Sequence, residues 1–261
     1  MPERTTVTVG TTQVRLLEGG SGAPLLYLHS AGMDVEWLEV HERLAKTFRV
    51  LLPAHPGFAD STGLEEVDGI FDLVLHYTDL LDVLGLGAVP MVGTSLGGWI
   101  AAEIAALYPS RAAKLVLVDA VGIWIDGAPI RELFGTRPPE LAPMLFYDQD
   151  QPIPTMMRAF DPRIPLPEEI LLPQMKAMEA AAKVGWNPYL HDPKLEGRLR
   201  RVTAPTLVVW GKQDGLVPLA YAEKWKRLIR GAQVTVIDRC GHLPSIEQPA
   251  ALADVVTTFL A

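Results

Sequence analysis

The sequence contains one cysteine, Cys240, in 261 residues. An internal disulfide is therefore impossible, and nothing in the chain requires an oxidising compartment. Long apolar runs are missing too. A membrane-spanning helix needs about 20 consecutive apolar residues, and the nearest approach, Met91 to Tyr108, is interrupted by Thr94, Ser95 and Glu103. Met1 to Thr12 lacks the basic start and apolar core of a secretory signal. Positive charge is scarce: 23 Lys and Arg against 31 Asp and Glu leave a formal net charge of −8, with no basic cluster. That balance argues against nucleic acid or an anionic membrane as a partner. The expectation is a cytoplasmic protein with no cofactor and no metal. Its length suffices to bury a full core without staples.

What the sequence does have is a rhythm. Short apolar segments at Leu25 to His29, Arg49 to Pro53, Val89 to Gly93 and Leu115 to Val118 alternate with segments of helical spacing. Two further strand-like stretches, Thr5 to Gln13 and Val14 to Glu18, precede them. Trp37 to Phe48 and Phe71 to Leu84 have helical spacing. Such alternation implies right-handed parallel crossovers and a sheet covered on both faces, an α/β architecture. The rhythm stops after Asp119. Nine prolines fall between Pro138 and Pro173, and the best helix there is Gln174 to Val184. It resumes with strands at Thr206 to Trp210 and Val234 to Ile237 and helices at Ala220 to Ile229 and Ala250 to Leu260. The middle segment therefore reads as an insertion at the rim of the sheet.

The most informative stretch is Gly93-Thr94-Ser95-Leu96-Gly97, at the junction of a strand and a helix. A turn that sharp strains the serine backbone and leaves its neighbours no room for side chains, so glycine flanks it. The hydroxyl is thrust out at the end of a strand. A nucleophilic serine needs a base, and the base needs an orienting acid. His242, in the loop after the last strand, is the candidate base among six histidines. Asp214, beyond the preceding strand, is the candidate acid, with Asp119 and Asp126 as alternatives on the same rim. Backbone N–H groups of Leu96 and of Ala31, in His29-Ser30-Ala31-Gly32, are candidate donors to an oxyanion.

Together with Pro53-Ala54-His55-Pro56-Gly57-Phe58, Pro205 to Gly211, and Gly241-His242 with Glu247 and Pro249, these residues resemble the α/β-hydrolase superfamily over nearly the whole chain. The resemblance implies a mostly parallel eight-stranded sheet with helices on both faces. It implies a core of residues 1–120 and 204–261, a helical cap of residues 121–203, and a Ser95–Asp214–His242 triad. Three positions depart from the family pattern. Ser30 stands where a glycine is common, Ala54 where an aspartate is common, and Ala59 where a second glycine is common. Small side chains at Ser30 and Ala59 predict that the backbone paths survive.

The insertion is rich in large apolar residues, many of them methionine, which adapts to varied shapes. Met144 and Met156 are candidate pocket-lining residues, as are Trp99 and Trp124. The sequence reading is a serine esterase that cleaves carboxylic esters of small to medium apolar substrates through an acyl-enzyme. The alternatives are a carbon–carbon bond hydrolase of ring-cleavage diketones and a ligand receptor built on a hydrolase fold. The carbon–carbon reading calls for a cation near the serine, with Arg158, Arg163 and Lys183 as candidates.

Overall fold

The computed structural model describes residues 2–164 and 167–261; Pro165, one of the nine prolines, lies outside them. The chain opens with β1 (Glu3–Val9) and β2 (Thr12–Gly19), an antiparallel hairpin. Its turn cuts through the expected Thr5 to Gln13 strand because Gly10 takes φ 58°, a conformation that suits a two-residue hairpin turn. There follow β3 (Ala23–Leu28), α1 (Glu39–Leu44), β4 (Phe48–Pro53), α2 (Ile70–Val83), β5 (Val89–Thr94), α3 (Leu96–Leu107) and β6 (Ala112–Val118). Next come α4 (Pro138–Leu145), α5 (Pro152–Arg158) and α6 (Glu168–Gly185), a helical cap insertion, and then α7 (Leu195–Arg198), which packs against α3. The chain closes with β7 (Thr206–Gly211), α8 (Ala220–Leu228), β8 (Gln233–Ile237), α9 (Pro244–Glu247) and α10 (Pro249–Leu260). Helix α6 starts earlier than expected and runs through Pro173. Pro173 is the sixth residue of that helix, past its first turn, so it forfeits the bond to the Glu169 carbonyl and crowds that oxygen.

The eight strands form one sheet in the order β1-β2-β4-β3-β5-β6-β7-β8. Its β1–β2 and β2–β4 pairs are antiparallel and the others parallel. Side chains alternate between the two faces of the central strands. Leu26, Leu28, Met91, Leu115, Leu117 and Val208 pack with α2, α3 and α8. Leu25, Tyr27, Val92, Val116, Val118 and Val209 face the other way, against α1 and α10. Both faces are thus dry, as a parallel sheet requires. Among the described residues, no helix is long and apolar enough to cross a membrane.

Between β5 and α3, Ser95 sits at φ 52° and ψ −110°. The flanking glycines are enforced by contact. A Cβ on Gly93 would meet the Gly97 carbonyl oxygen at 2.3 Å, and one on Gly97 would meet the Leu28 carbonyl oxygen at 2.0 Å. The backbone of α3 therefore rests directly on the end of β3. Ala59 takes φ 48°, the left-handed conformation for which a glycine would be suited, and its small side chain tolerates it. Ala54, with no polar side chain to anchor, is held by its backbone: its N–H donates to the Arg15 carbonyl and its carbonyl accepts from Ser61 Oγ.

Two buried histidines fasten the loops after β3 and β4 to each other. The rings of His29 and His55 stack at 3.6 Å. His55 N–H donates to His29 Nε2 at 2.9 Å, and His55 Nε2 donates to the His29 carbonyl at 2.8 Å. Tyr77 supplies the hydroxyl that meets His55 Nδ1. Burial lowers the His55 pKa to about 3 and that of His29 well below its ordinary value; His41, also buried, falls to about 3.

Two predictions follow from this packing. Gly97→Ala forces backbone apart at α3 and β3, and should cost about 3 kcal/mol or more, a Tm fall of roughly 6–12 °C by calorimetry. An unchanged Tm would refute the close contact. The histidines are protonated more readily in the unfolded chain than in the fold. Their contribution is complete above pH 6.5 and is lost as pH falls toward 3, by up to ~1.4 kcal/mol per pH unit for each. Denaturant midpoints measured from pH 7 to 4 should fall, and His55→Gln should flatten that slope.

Candidate active site

Three loops at the carboxyl ends of the parallel strands meet at Ser95. The first carries Ser95 itself, at the head of α3, where the Leu96 N–H has no earlier turn of helix to bond to. The second follows β7 and carries Asp214. The third follows β8 and carries His242. His242 Nε2 lies 2.9 Å from Ser95 Oγ, and His242 Nδ1 lies 2.8 Å from Asp214 Oδ2. The other Asp214 oxygen accepts the N–H groups of Leu216 and Val217, both at 2.8 Å. A carboxylate so occupied can only accept, so the imidazole carries its proton on Nδ1 and turns a lone pair toward Ser95.

A fourth side chain stands behind these. Asp119, at the end of β6, is fully buried, and its Oδ1 accepts the Gly211 N–H at 2.8 Å. Burial first, then the charge of Asp214, pushes its carboxyl well above the ordinary carboxylate range. Two carboxyls this close in a dry site do not both ionise, so Asp119 is the neutral member. Atoms of Asp119, Asp214 and His242 lie within 4.8 Å of one another. The expected three-residue triad is thus an array in which a pair of acids backs the histidine.

The loop after β3 is fixed from below. Asp34 is buried, accepts the Ser30 N–H at 2.7 Å, and receives the Ser245 hydroxyl at 3.1 Å. One side chain therefore ties the Ala31 loop to the His242 loop. The cap is tied to the same place: His242 N–H donates to the Leu145 carbonyl at 2.8 Å and Gly215 N–H to the Met144 carbonyl at 3.0 Å. Glu247 bridges the two by accepting the N–H groups of Gly241 and Asp148.

Above Ser95 lies a cavity of about 80 Å³, with Ser30, Ala31, Ser95 and His242 on its floor. Its walls are apolar: Met33, Leu216 and Leu243 from the core, and Leu133, Leu141, Leu145 and Met178 from the cap. A larger surface depression of about 300 Å³, lined by Tyr147, Asp238 and Arg239 among others, holds none of these groups. The four expected lining residues are elsewhere. Trp99 is buried beneath the elbow with its indole N–H on Glu103. Trp124 stacks on His191, Met144 packs half-buried against the core, and Met156 is 64% exposed. Leu216 and Leu243 escaped sequence reasoning although each neighbours a candidate catalytic residue; adjacency to Asp214 and His242 was the available signal.

A profile of the alpha/beta hydrolase family matches residues 25–255. The chain is similar to a 2-hydroxy-6-oxo-2,4-heptadienoate hydrolase of Pseudomonas putida, 27% identical over 98% of this chain and 95% of that protein. Other similar proteins are named as hydrolases of related hydroxy-oxo dienoates or of 2-hydroxymuconate semialdehyde. Among solved structures, a membrane phospholipase A superposes with a TM-score of 0.82 at 24% identity, covering 99% of this chain and 86% of that one. A meta-cleavage product hydrolase superposes at 0.79 and 22% identity, covering 98% and 97%. At these identities the two structures show the fold alone.

These relatives overturn the expectation of a serine esterase acting through an acyl-enzyme on small apolar esters. A hydroxy-oxo dienoate has no ester bond, so its hydrolysis must break carbon to carbon. The rim geometry made the two chemistries look alike, since both need an oxygen nucleophile, a proton carrier and an anion site at one carbonyl. By the match over residues 25–255, the chain belongs to the alpha/beta hydrolase family.

Proposed function

We propose that this protein hydrolyses a carbon–carbon bond beside a ketone whose neighbouring carbon is conjugated, directly or through double bonds, to a second carbonyl. The observation that carries the reading is similarity along nearly the whole chain to hydrolases of hydroxy-oxo dienoates, joined to a histidine placed to move protons beside Ser95. Residues 121–203 act as the cap over the cavity.

A water adds its oxygen to the ketone carbon as its proton passes through the Ser95 hydroxyl to His242 Nε2. The carbonyl oxygen becomes an oxyanion and is held by the N–H groups of Ala31 and Leu96. When the carbonyl re-forms, the bond to the neighbouring carbon breaks and its electron pair passes into the second carbonyl. The imidazolium returns its proton to that departing carbon. One water is consumed, and a carboxylic acid and a second carbonyl compound leave. Asp214 holds the imidazole in the tautomer this requires and stabilises its cation, while neutral Asp119 adds no second charge behind it. Ser95 Oγ is the hydroxyl through which Nε2 reaches the reacting carbonyl.

The test is turnover of a conjugated diketone followed by loss of its enol absorbance. Wild type should consume it, and Ser95→Ala should retain less than about 1% of kcat with an unchanged Tm. Asp214→Asn should lower kcat by about 10²–10⁴, since the amide favours the wrong imidazole tautomer. Undiminished turnover in either variant would remove the assignment.

A further inference from the structure

Among the described residues, none of those lining the cavity is cationic, and we infer that the substrate is uncharged where the cavity holds it: a neutral diketone rather than a dienoate. This rests on the carbon–carbon hydrolase reading above. A dienoate brings a carboxylate, which inside a protein needs a cation or several hydrogen-bond donors to replace its water. The polar groups at this cavity are the Ser95 hydroxyl, the His242 imidazole and the backbone N–H groups offered to an oxyanion; the Ser30 hydroxyl is bonded to Asp34 instead. A hydroxyl, a neutral imidazole and two N–H groups suit the oxygen of a ketone, and none supplies positive charge.

None of the cap's lysines or arginines is among the residues that line the cavity, and three of them are committed elsewhere. Arg158 donates to the Gln149 carbonyl at 2.6 Å, Arg163 pairs with Asp161 at 2.7 Å, and Lys183 reaches the Leu64 carbonyl at 2.8 Å. Lys176, on the same helix as Met178, is exposed. Buried Arg15 is turned to the Val35 carbonyl and Glu36, outside the cavity. What lies behind the floor is acidic: Asp214 is fully buried behind His242, in a protein whose net charge is −8. A second negative charge brought into this space would be repelled and left without a partner. Met178, on α6, lines the cavity, so a lysine at that position would put a cation in its wall.

Butyrylacetone and succinylacetone test this, since they differ only in a terminal methyl against a terminal carboxylate. Both are titrated calorimetrically into the Ser95→Ala protein, where chemistry is silenced, at pH 7.5. Butyrylacetone should bind at least about tenfold more tightly, and adding Met178→Lys should narrow or reverse that ratio by raising succinylacetone affinity about tenfold or more. Equal affinity, tighter binding of succinylacetone without the added lysine, or no binding of butyrylacetone would overturn the inference. The Ser95→Ala comparison decides alone if the lysine variant does not fold. If butyrylacetone binds selectively yet the wild type cleaves neither compound nor any conjugated dienoate, the carbon–carbon reading fails while the charge selection stands.

Discussion

Ser95 holds a backbone conformation that an L-residue resists, and the packing on both sides of it keeps it there. Its own N–H donates to the Val118 carbonyl at 2.8 Å, and its carbonyl accepts from Trp99 and from Val121. Gly93 and Gly97 allow β5, α3 and the end of β3 to meet backbone to backbone. Strain of this kind costs about 1–3 kcal/mol and persists only where the surroundings over-determine it. Here the surroundings are the centre of an eight-stranded sheet with dry faces, so the hydroxyl is fixed in space before any substrate arrives.

The rest of the site is built to reach that fixed point. Asp214 and His242 come from loops after neighbouring strands, and each is located by backbone contacts to the cap as well as to the core. The carbonyls of Met144 and Leu145 capture the N–H groups of Gly215 and His242, so the cap does not merely cover the cavity. It takes part in placing the imidazole. Asp34 performs a similar service between the Ala31 loop and Ser245. Neutral Asp119 completes the arrangement by filling the space behind Asp214 without adding a charge there.

Much of this was legible in the residues themselves. The elbow is written locally, because only small neighbours fit that turn, and the spacing of apolar strands foretold the sheet and the insertion. Asp214 and His242 could be named because loops after parallel strands converge on one rim. The cavity wall was not legible. Trp99 and Met156 lie in segments of suitable composition, but which face of a helix meets the cleft is decided by its packing, and Trp99 packs inward while Met156 faces solvent. Nor could the residues separate ester from carbon–carbon cleavage, since both use the same rim; whole-chain similarity was needed. Asp119 entered the sequence reading as a rival to Asp214, whereas the fold places the two acids together.

The claim at the centre of this account is that water is added across a carbon–carbon bond. It is tested most directly by incubating the wild-type protein with a conjugated diketone in ¹⁸O-labelled water and resolving the products by mass spectrometry. The account predicts two fragments, with one heavy oxygen incorporated by cleavage into the carboxylic acid. Recovery of the diketone with its carbon skeleton intact, from a protein that binds it in the cavity, would contradict the account.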